Sequence, residues 1–328
     1  MGSAEDNRKV QALICTRQLL HEACNVQRSY SVQTTSRILS AKVPFQFGII
    51  CQFKVSKKFW GFERLKVAVV GKGGVGKTFV SGTLAKLIKK SNPEETVIAI
   101  DADPSMNLYM ELGVDHETVK KITPLCEDAP LVKDIVGIGG GTAENLIINL
   151  NPNVEGLIER YAIESPEGVK LLIMGTVRSA GQGCMCPANT LLRALLRHAF
   201  VRVRGSVVID MEAGFEHLGR GTIQYVDGVL NIIEPSMQSI ETSLKICRLA
   251  LELGIRNHVF VANKVADKAE EEFIKSALSD HQQHLDFTLP YDDCIRQLSM
   301  RSRVNHDMLW KSSKAVRAIE ELRSRLKN

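Results

Sequence analysis

The chain has 328 residues and no uninterrupted apolar run near the ~20 residues that a membrane-spanning helix needs, so no membrane partner is expected. It lacks a secretory leader pattern, internal repeats and low-complexity tracts. Its eight cysteines fall at irregular spacing, which excludes a secreted disulfide framework. A reducing, cytoplasmic location is therefore expected, where close cysteines bind metal or do redox chemistry. The main body also lacks excess basic charge. Of the net +5, residues 1–64 supply ten Lys/Arg against four Asp/Glu, and the remainder holds 32 basic and 33 acidic residues. The basic character belongs to the N-terminal segment and says nothing about the partners of the main body, for which no nucleic acid is expected.

Hydrophobic residues at 44% and charged residues at 24% are ordinary for a globular chain long enough to bury a core. Residues 1–64 show no sustained apolar period, and no Met follows Met1 until Met106. Three readings stay open there: a start set upstream of the true one, a disordered extension, or an organelle presequence. Only the Arg/Ser-rich, acid-poor RSYSVQTTSRILSAK supports the last, and the first two are preferred. Residues 65–328 are expected to form a single domain.

From Leu65 onward, apolar β-branched runs alternate with helical segments: LKVAVVG (65–71), TVIAID (96–101), KLLIMG (170–175), SVVIDM (206–211), GVLNIIE (228–234) and HVFVAN (258–263). Nearly continuous apolar strands predict an α/β fold with a mostly parallel sheet covered by helices on both faces. The closing SSKAVRAIEELRSRLKN places Val316, Ile319 and Leu322 on one helical face, which is expected to pack on the sheet. It lacks the bulky aromatic anchors of a membrane-surface helix. The Gly-rich VGIGGGTAENL (136–146) has no lysine where a nucleotide loop requires one and reads as a surface loop.

GKGGVGKT (71–78) satisfies G-x-x-x-x-G-K-[ST] between a strand and a helix, the context that gives the motif its meaning. Gly73, Gly74, Val75 and Gly76 are expected to turn backbone N–H groups onto phosphate oxygens. Lys77 would reach the β- and γ-phosphates and Thr78 would offer its hydroxyl to Mg²⁺. Asp210 closes VVID, where a further magnesium ligand belongs, and DMEAG adds Glu212 and Gly214 as a switch whose glycine amide follows the γ-phosphate. DADPSMN brings Asp101 and Asp103 to the same sheet edge.

GQGCMCPANT (181–190) places Cys184 and Cys186 just before a helix that Pro187 would open and that Leu191, Leu192, Leu195, Leu196 and Ala199 would line. A helix N-terminus favours the thiolate that ligates metal. Two thiols give half of a four-ligand site, and a two-fold dimer would supply the other half. Cys126, Cys247 and Cys294 are isolated, with Cys247 expected in the core, and His198 and His217 carry no spacing that marks them as ligands.

The KGGVGKT loop resembles the deviant Walker A P-loop of the MinD/ParA/nitrogenase iron protein group. GQGCMCPANTLLRALLRH and VVIDMEAGFEHLGRGT resemble the CooC-type nickel-insertion ATPases, the maturation factors of carbon monoxide dehydrogenase, and their relatives serving acetyl-CoA synthase. The resemblance spans about residues 65–328 and implies an ATP- and Mg²⁺-dependent homodimer that binds Ni²⁺ or Zn²⁺ and delivers nickel to such a client. It implies that Lys72 reaches the partner's nucleotide, that Asp103 orients the attacking water and that Asp101 supports Mg²⁺. Adenine would then meet Asn263, with Lys264 beside it, and the backbone of Pro290, Tyr291 and Asp292. Two rivals share the loop: a positioning ATPase of the MinD/ParA kind, which has no use for a CxC, and an iron–sulfur electron-transfer ATPase, whose family's cluster cysteines lie far apart in sequence.

Overall fold

A computed structural model of the chain describes residues 64–131, 156–175, 204–212, 226–299 and 312–327, all within the unit Lys54–Asn328. Eight strands form one sheet: β1 Lys66–Gly71, β2 Thr96–Ala102, β3 Ile163–Glu164, β4 Lys170–Ile173, β5 Gly205–Met211, β6 Gly228–Ile233, β7 His258–Val265 and β8 Phe287–Pro290. Their order is β3-β4-β2-β5-β1-β6-β7-β8. Only β3, paired with β4, is antiparallel.

The uninterrupted apolar character of the strands follows from burial on both faces. In β1, Val67 and Val69 face one core cluster while Ala68 and Val70 face another. The first cluster is closed by α1 (Lys77–Ser91) through Val80, Leu84, Leu87 and Ile88, and by the C-terminal helix Lys314–Lys327 through Ile319, Leu322 and Leu326. Against the opposite face, Met237–Glu252 packs Ile246 and Ala250. That helix shares Ile240 and Cys247 with Ile274 and Leu278 of Lys268–Ser279 in a third cluster.

Among the described residues between β2 and β3 lie the short elements Leu108–Glu111, His116–Val119, a 3-10 turn Leu125–Glu127 and Leu157–Tyr161, and Asp293–Ser299 follows β8. In chain order the α-helices among the described residues are α1, α2 (Leu108–Glu111), α3 (His116–Val119), α4 (Leu157–Tyr161), α5 (Met237–Glu252), α6 (Lys268–Ser279), α7 (Asp293–Ser299) and α8 (Lys314–Lys327). Six strands are expected from the sequence, and β3 and β8 are additions to that set. Both are edge strands: β3 has only two residues, and β8, equal in length to β4, alternates buried and half-buried positions and ends at Pro290, so neither presents a continuous apolar run. Among the described residues no helix is long and apolar enough to cross a membrane.

The chain runs from β1 to β2 on one side of the sheet, and from β5 it crosses past β1 to β6 and on to β7 on the other side, so the direction of winding reverses between β1 and β6. The carboxyl ends at that switch point are where open α/β sheets place ligands. Here they bring Gly71, Asp101, Asp210, Asn263 and Pro290 to one edge.

Candidate functional site

The loop between β1 and α1 is built on backbone shapes that side chains rarely adopt. Gly76 has φ 95° and stands as the N-cap of α1 without a side-chain cap. The first N–H groups of α1 therefore stay available to an anion. Any Cβ at Gly76 would collide with the Asn263 side chain, and one at Gly71 would collide with the Ile232 carbonyl. Asn263 is 5% exposed, and its Nδ2 donates to Val75 O at 2.8 Å. Lys264 Nζ donates to Gly74 O at 2.6 Å. Two loop carbonyls are thus drawn toward β7, which orders the loop.

Lys77 is 5% exposed, and its Nζ donates to Lys72 O at 3.4 Å. Burial lowers its pKa, while Asp210, Asp103 and Glu212 pull the other way. Asp210 stands beside Asp101 on the neighbouring strand, the two residues being register partners between β5 and β2. Burial raises Asp210 to about 6 despite the Thr78 hydroxyl, Lys77 and Ser81 favouring its charged form. Ser81 Oγ donates to Asp210 Oδ1 at 3.1 Å, whereas Oδ2 is buried with no partner among the described residues.

Asp101 is raised to about 7, first by burial and then by Asp210 and Asp103, against the backbone bonds that it accepts. It accepts N–H groups from Asp103 at 3.2 Å and Leu108 at 2.9 Å, so both its oxygens hold the loop that carries Asp103. Asp103 Oδ1 in turn accepts from Ser105 N at 2.9 Å and Ser105 Oγ at 2.6 Å.

Two raised carboxylates, an orphaned buried oxygen and a hydroxyl fit a divalent cation, which would restore the charged form of both acids. Among the described residues no three His, Cys, Asp or Glu converge on a metal. Magnesium binds through one or two carboxylates plus nucleotide phosphates rather than in an all-protein cage.

On the side that the sequence expectation gives to the base, Tyr291 N donates to Val265 O at 2.8 Å and Pro290 is the register partner of Val265. The Asp292 carboxylate accepts from Cys294 N at 2.9 Å, Ser313 Oγ at 2.8 Å and Ala315 N at 3.3 Å, so it caps α7 and α8 and leaves only its backbone for a ligand. Lys72 lies 3.8 Å from Glu234, just past β6. Neither Glu234 nor Ser81 is expected from the sequence as a site residue. Glu234 meets the strand-end-acid criterion that singles out Asp210, whereas Ser81 looks like an ordinary small helix residue.

Cys184, Cys186, Gly214, His198 and His217 lie outside the described residues, as do the Gly-rich stretch 136–146 and the helix expected after Pro187. Cys247 is in the core, as expected. Burial pushes its thiol up to about 11 and that of Cys126 up to about 12, which suits neither to metal ligation. Cys294 is half-buried with Sγ 3.7 Å from Ser312 Oγ.

Residues 66–304 match the CobQ/CobB/MinD/ParA nucleotide binding domain. The chain is 40% identical over 234 residues to the carbon monoxide dehydrogenase accessory protein CooC of Rhodospirillum rubrum, covering 71% of this chain and 86% of that protein. An uncharacterized ATP-binding protein of Methanocaldococcus jannaschii is 38% identical over 261 residues, covering 79% of this chain and 96% of the relative. Among solved structures, a ParA family ATPase from Chlorobium tepidum superposes with a TM-score of 0.59 at 15% identity, covering 80% of this chain and 98% of its own. The Aquifex aeolicus MinC:MinD cell division complex gives 0.57 at 16%, covering 80% and 95%. These two likenesses establish the fold alone. With the loop, the strand-end carboxylates and the sequence identity in agreement, the chain belongs to the CobQ/CobB/MinD/ParA nucleotide-binding family and is a CooC-type deviant P-loop ATPase.

Proposed function

We propose that this chain is an ATP-driven accessory ATPase of carbon monoxide dehydrogenase, or of the related acetyl-CoA synthase. It works as a homodimer that carries nickel, or zinc in its place, on Cys184 and Cys186 from each protomer. The observation that carries this reading is the 40% identity to a relative named for that accessory role, across 86% of its length.

ATP would lie along the loop, its phosphates on the N–H groups of residues 73–78 and on Lys77, and its base toward Asn263, Lys264 and the backbone of 290–292. Thr78 and the free oxygen of Asp210 would hold Mg²⁺, with Asp101 supplying charge and holding the neighbouring loop. When bound, the ion neutralises charge on the β- and γ-phosphates. Asp103 orients a water for attack on the γ-phosphorus, which breaks the bond to the bridging oxygen and yields ADP and phosphate. Lys72 of each protomer stabilises the charge at the other's nucleotide. Glu212 and Gly214 carry the loss of the γ-phosphate to the dimer interface. The four cysteines share that two-fold, so opening the interface loosens the hold on metal, and by linkage metal favours pairing as much as pairing favours metal.

The test is activation of nickel-free carbon monoxide dehydrogenase by purified protein, ATP and Ni²⁺. Activation is expected with the wild-type chain and lost with Lys77→Ala or with Cys184→Ala/Cys186→Ala. Equal activation by nickel alone would remove the accessory role.

A further inference from the structure

Glu234 stands just beyond β6 with its main chain tied into the first turn of α5. Its N–H donates to Ser239 Oγ at 3.1 Å, and its carbonyl accepts the N–H of Ser236, the N-cap of α5, at 2.6 Å. Its carboxylate lies between two lysines. Oε1 is 3.8 Å from Lys72 Nζ, and Oε2 is 3.5 Å from Lys264 Nζ. Lys264 holds φ 60°, a left-handed backbone uncommon for a side chain of this size, at the register irregularity between Ala262 and Val265. That cost is accepted where the surroundings over-determine the shape, and here the Lys264 ammonium bonds both the loop carbonyl of Gly74 and Glu234.

Lys72 shares its loop with Lys77 and with the positive end of α1, so in the absence of phosphate it needs a counter-charge. Glu234 supplies one from the same protomer. We infer that Glu234 is a positioning residue that keeps Lys72 on its own subunit until ATP draws two subunits together. The inference rests on the proposal that Lys72 serves the partner's nucleotide. The side chains of Lys72 and Glu234 are 35% and 25% exposed, and a pair so wetted biases an equilibrium by a factor of about two to five. Such a bias sets where Lys72 rests, yet it yields to the several negative charges of a triphosphate. Lys264 fixes the other carboxylate oxygen and so limits the rotamers of Glu234.

Glu234→Gln keeps the shape of the side chain and removes its charge. In nucleotide-free protein, site-resolved labelling with an amine-reactive ester is expected to modify Lys72 about two- to fivefold faster in this variant, with the rate at Lys120 unchanged as the internal reference. The concentration of non-hydrolysable ATP analogue that half-saturates pairing, read by sedimentation, is expected to fall by a similar factor. Affinity for the analogue in protein too dilute to pair stays the same. Glu234→Asp, which withdraws the charge by one methylene, is expected to fall between. An unchanged labelling rate at Lys72 overturns the inference, as does a raised pairing midpoint, which would make Glu234 a structural or dimer-contact residue. Turnover by Lys72→Ala separates the two claims. Wild-type turnover there defeats the trans role itself, whereas lost turnover with unchanged Lys72 labelling in Glu234→Gln defeats only the part given to Glu234.

Discussion

Asp210 has one oxygen bonded and one orphaned, so replacing it by Asn keeps an acceptor for Ser81 Oγ and converts the orphan to a neutral amide. The fold is expected to survive, while Mg²⁺-dependent phosphate release falls by about a hundredfold or more, since even outer partners of a metal site cost 10- to 100-fold when removed. A magnesium titration of steady-state phosphate release checks this. His258 makes a different prediction. Its imidazole is 3% exposed, and burial lowers its pKa to about 3. Asn231 Nδ2 donates to Ser243 O at 2.8 Å and lies 3.0 Å from His258 Nε2, so Nε2 accepts and the ring is neutral with its proton on Nδ1. The unfolded chain takes up a proton below about pH 6.5 and the folded one does not until far lower. Stability is therefore lost as pH falls from about 6.5 toward 3, by about 2 kcal/mol at pH 5 relative to pH 8 from this residue. Asp101 and Asp210 act in the opposite sense, so the comparison is made between wild type and His258→Gln by urea unfolding at the two pH values. The variant is expected to lose that part of the slope; parallel profiles would contradict the assignment.

Among the elements, α8 is joined to the sheet by its apolar face, with Ile319, Leu322 and Leu326 all fully buried. Leu322→Ala is expected to destabilise the fold by about 2–5 kcal/mol, the range for a buried leucine whose site cannot collapse, as read by chemical unfolding. This helix and the six strands β1, β2, β4, β5, β6 and β7 are legible in the sequence because each buries a whole face and so carries an unmixed apolar signal. In β3 and β8 the signal is missing, and Pro290 ends β8 as it would end a loop. Asp101 and Asp210 stand out because a carboxylate closes an otherwise apolar run. The same rule reaches Glu234 only if GVLNIIE is divided before its last residue. The proposed role of Asn263 toward the base comes only from family resemblance, whereas the bond from its Nδ2 to Val75 O shows a task, bracing the loop, that spacing does not reveal. Ser81 bonds Asp210 across 129 residues of sequence, a contact that no local pattern encodes.

For the whole molecule, the sheet order does what no single segment can: it gathers a Gly-rich loop, two in-register aspartates and the ends of β7 and β8 at one edge. That edge explains nucleotide binding by one chain. Hydrolysis and metal carriage, as proposed, need two. Lys72→Ala is accordingly expected to bind ATP and to lose about 10³- to 10⁵-fold in turnover, the range for a charge supplied across an interface. The most direct measurement is the mass and metal content of the protein by sedimentation, with ATP analogue, Mg²⁺ and Ni²⁺ or Zn²⁺ all saturating. A dimer that carries one thiolate-bound ion, and loses the ion in Cys184→Ala/Cys186→Ala, is the expected result. A monomer under those conditions would contradict the account.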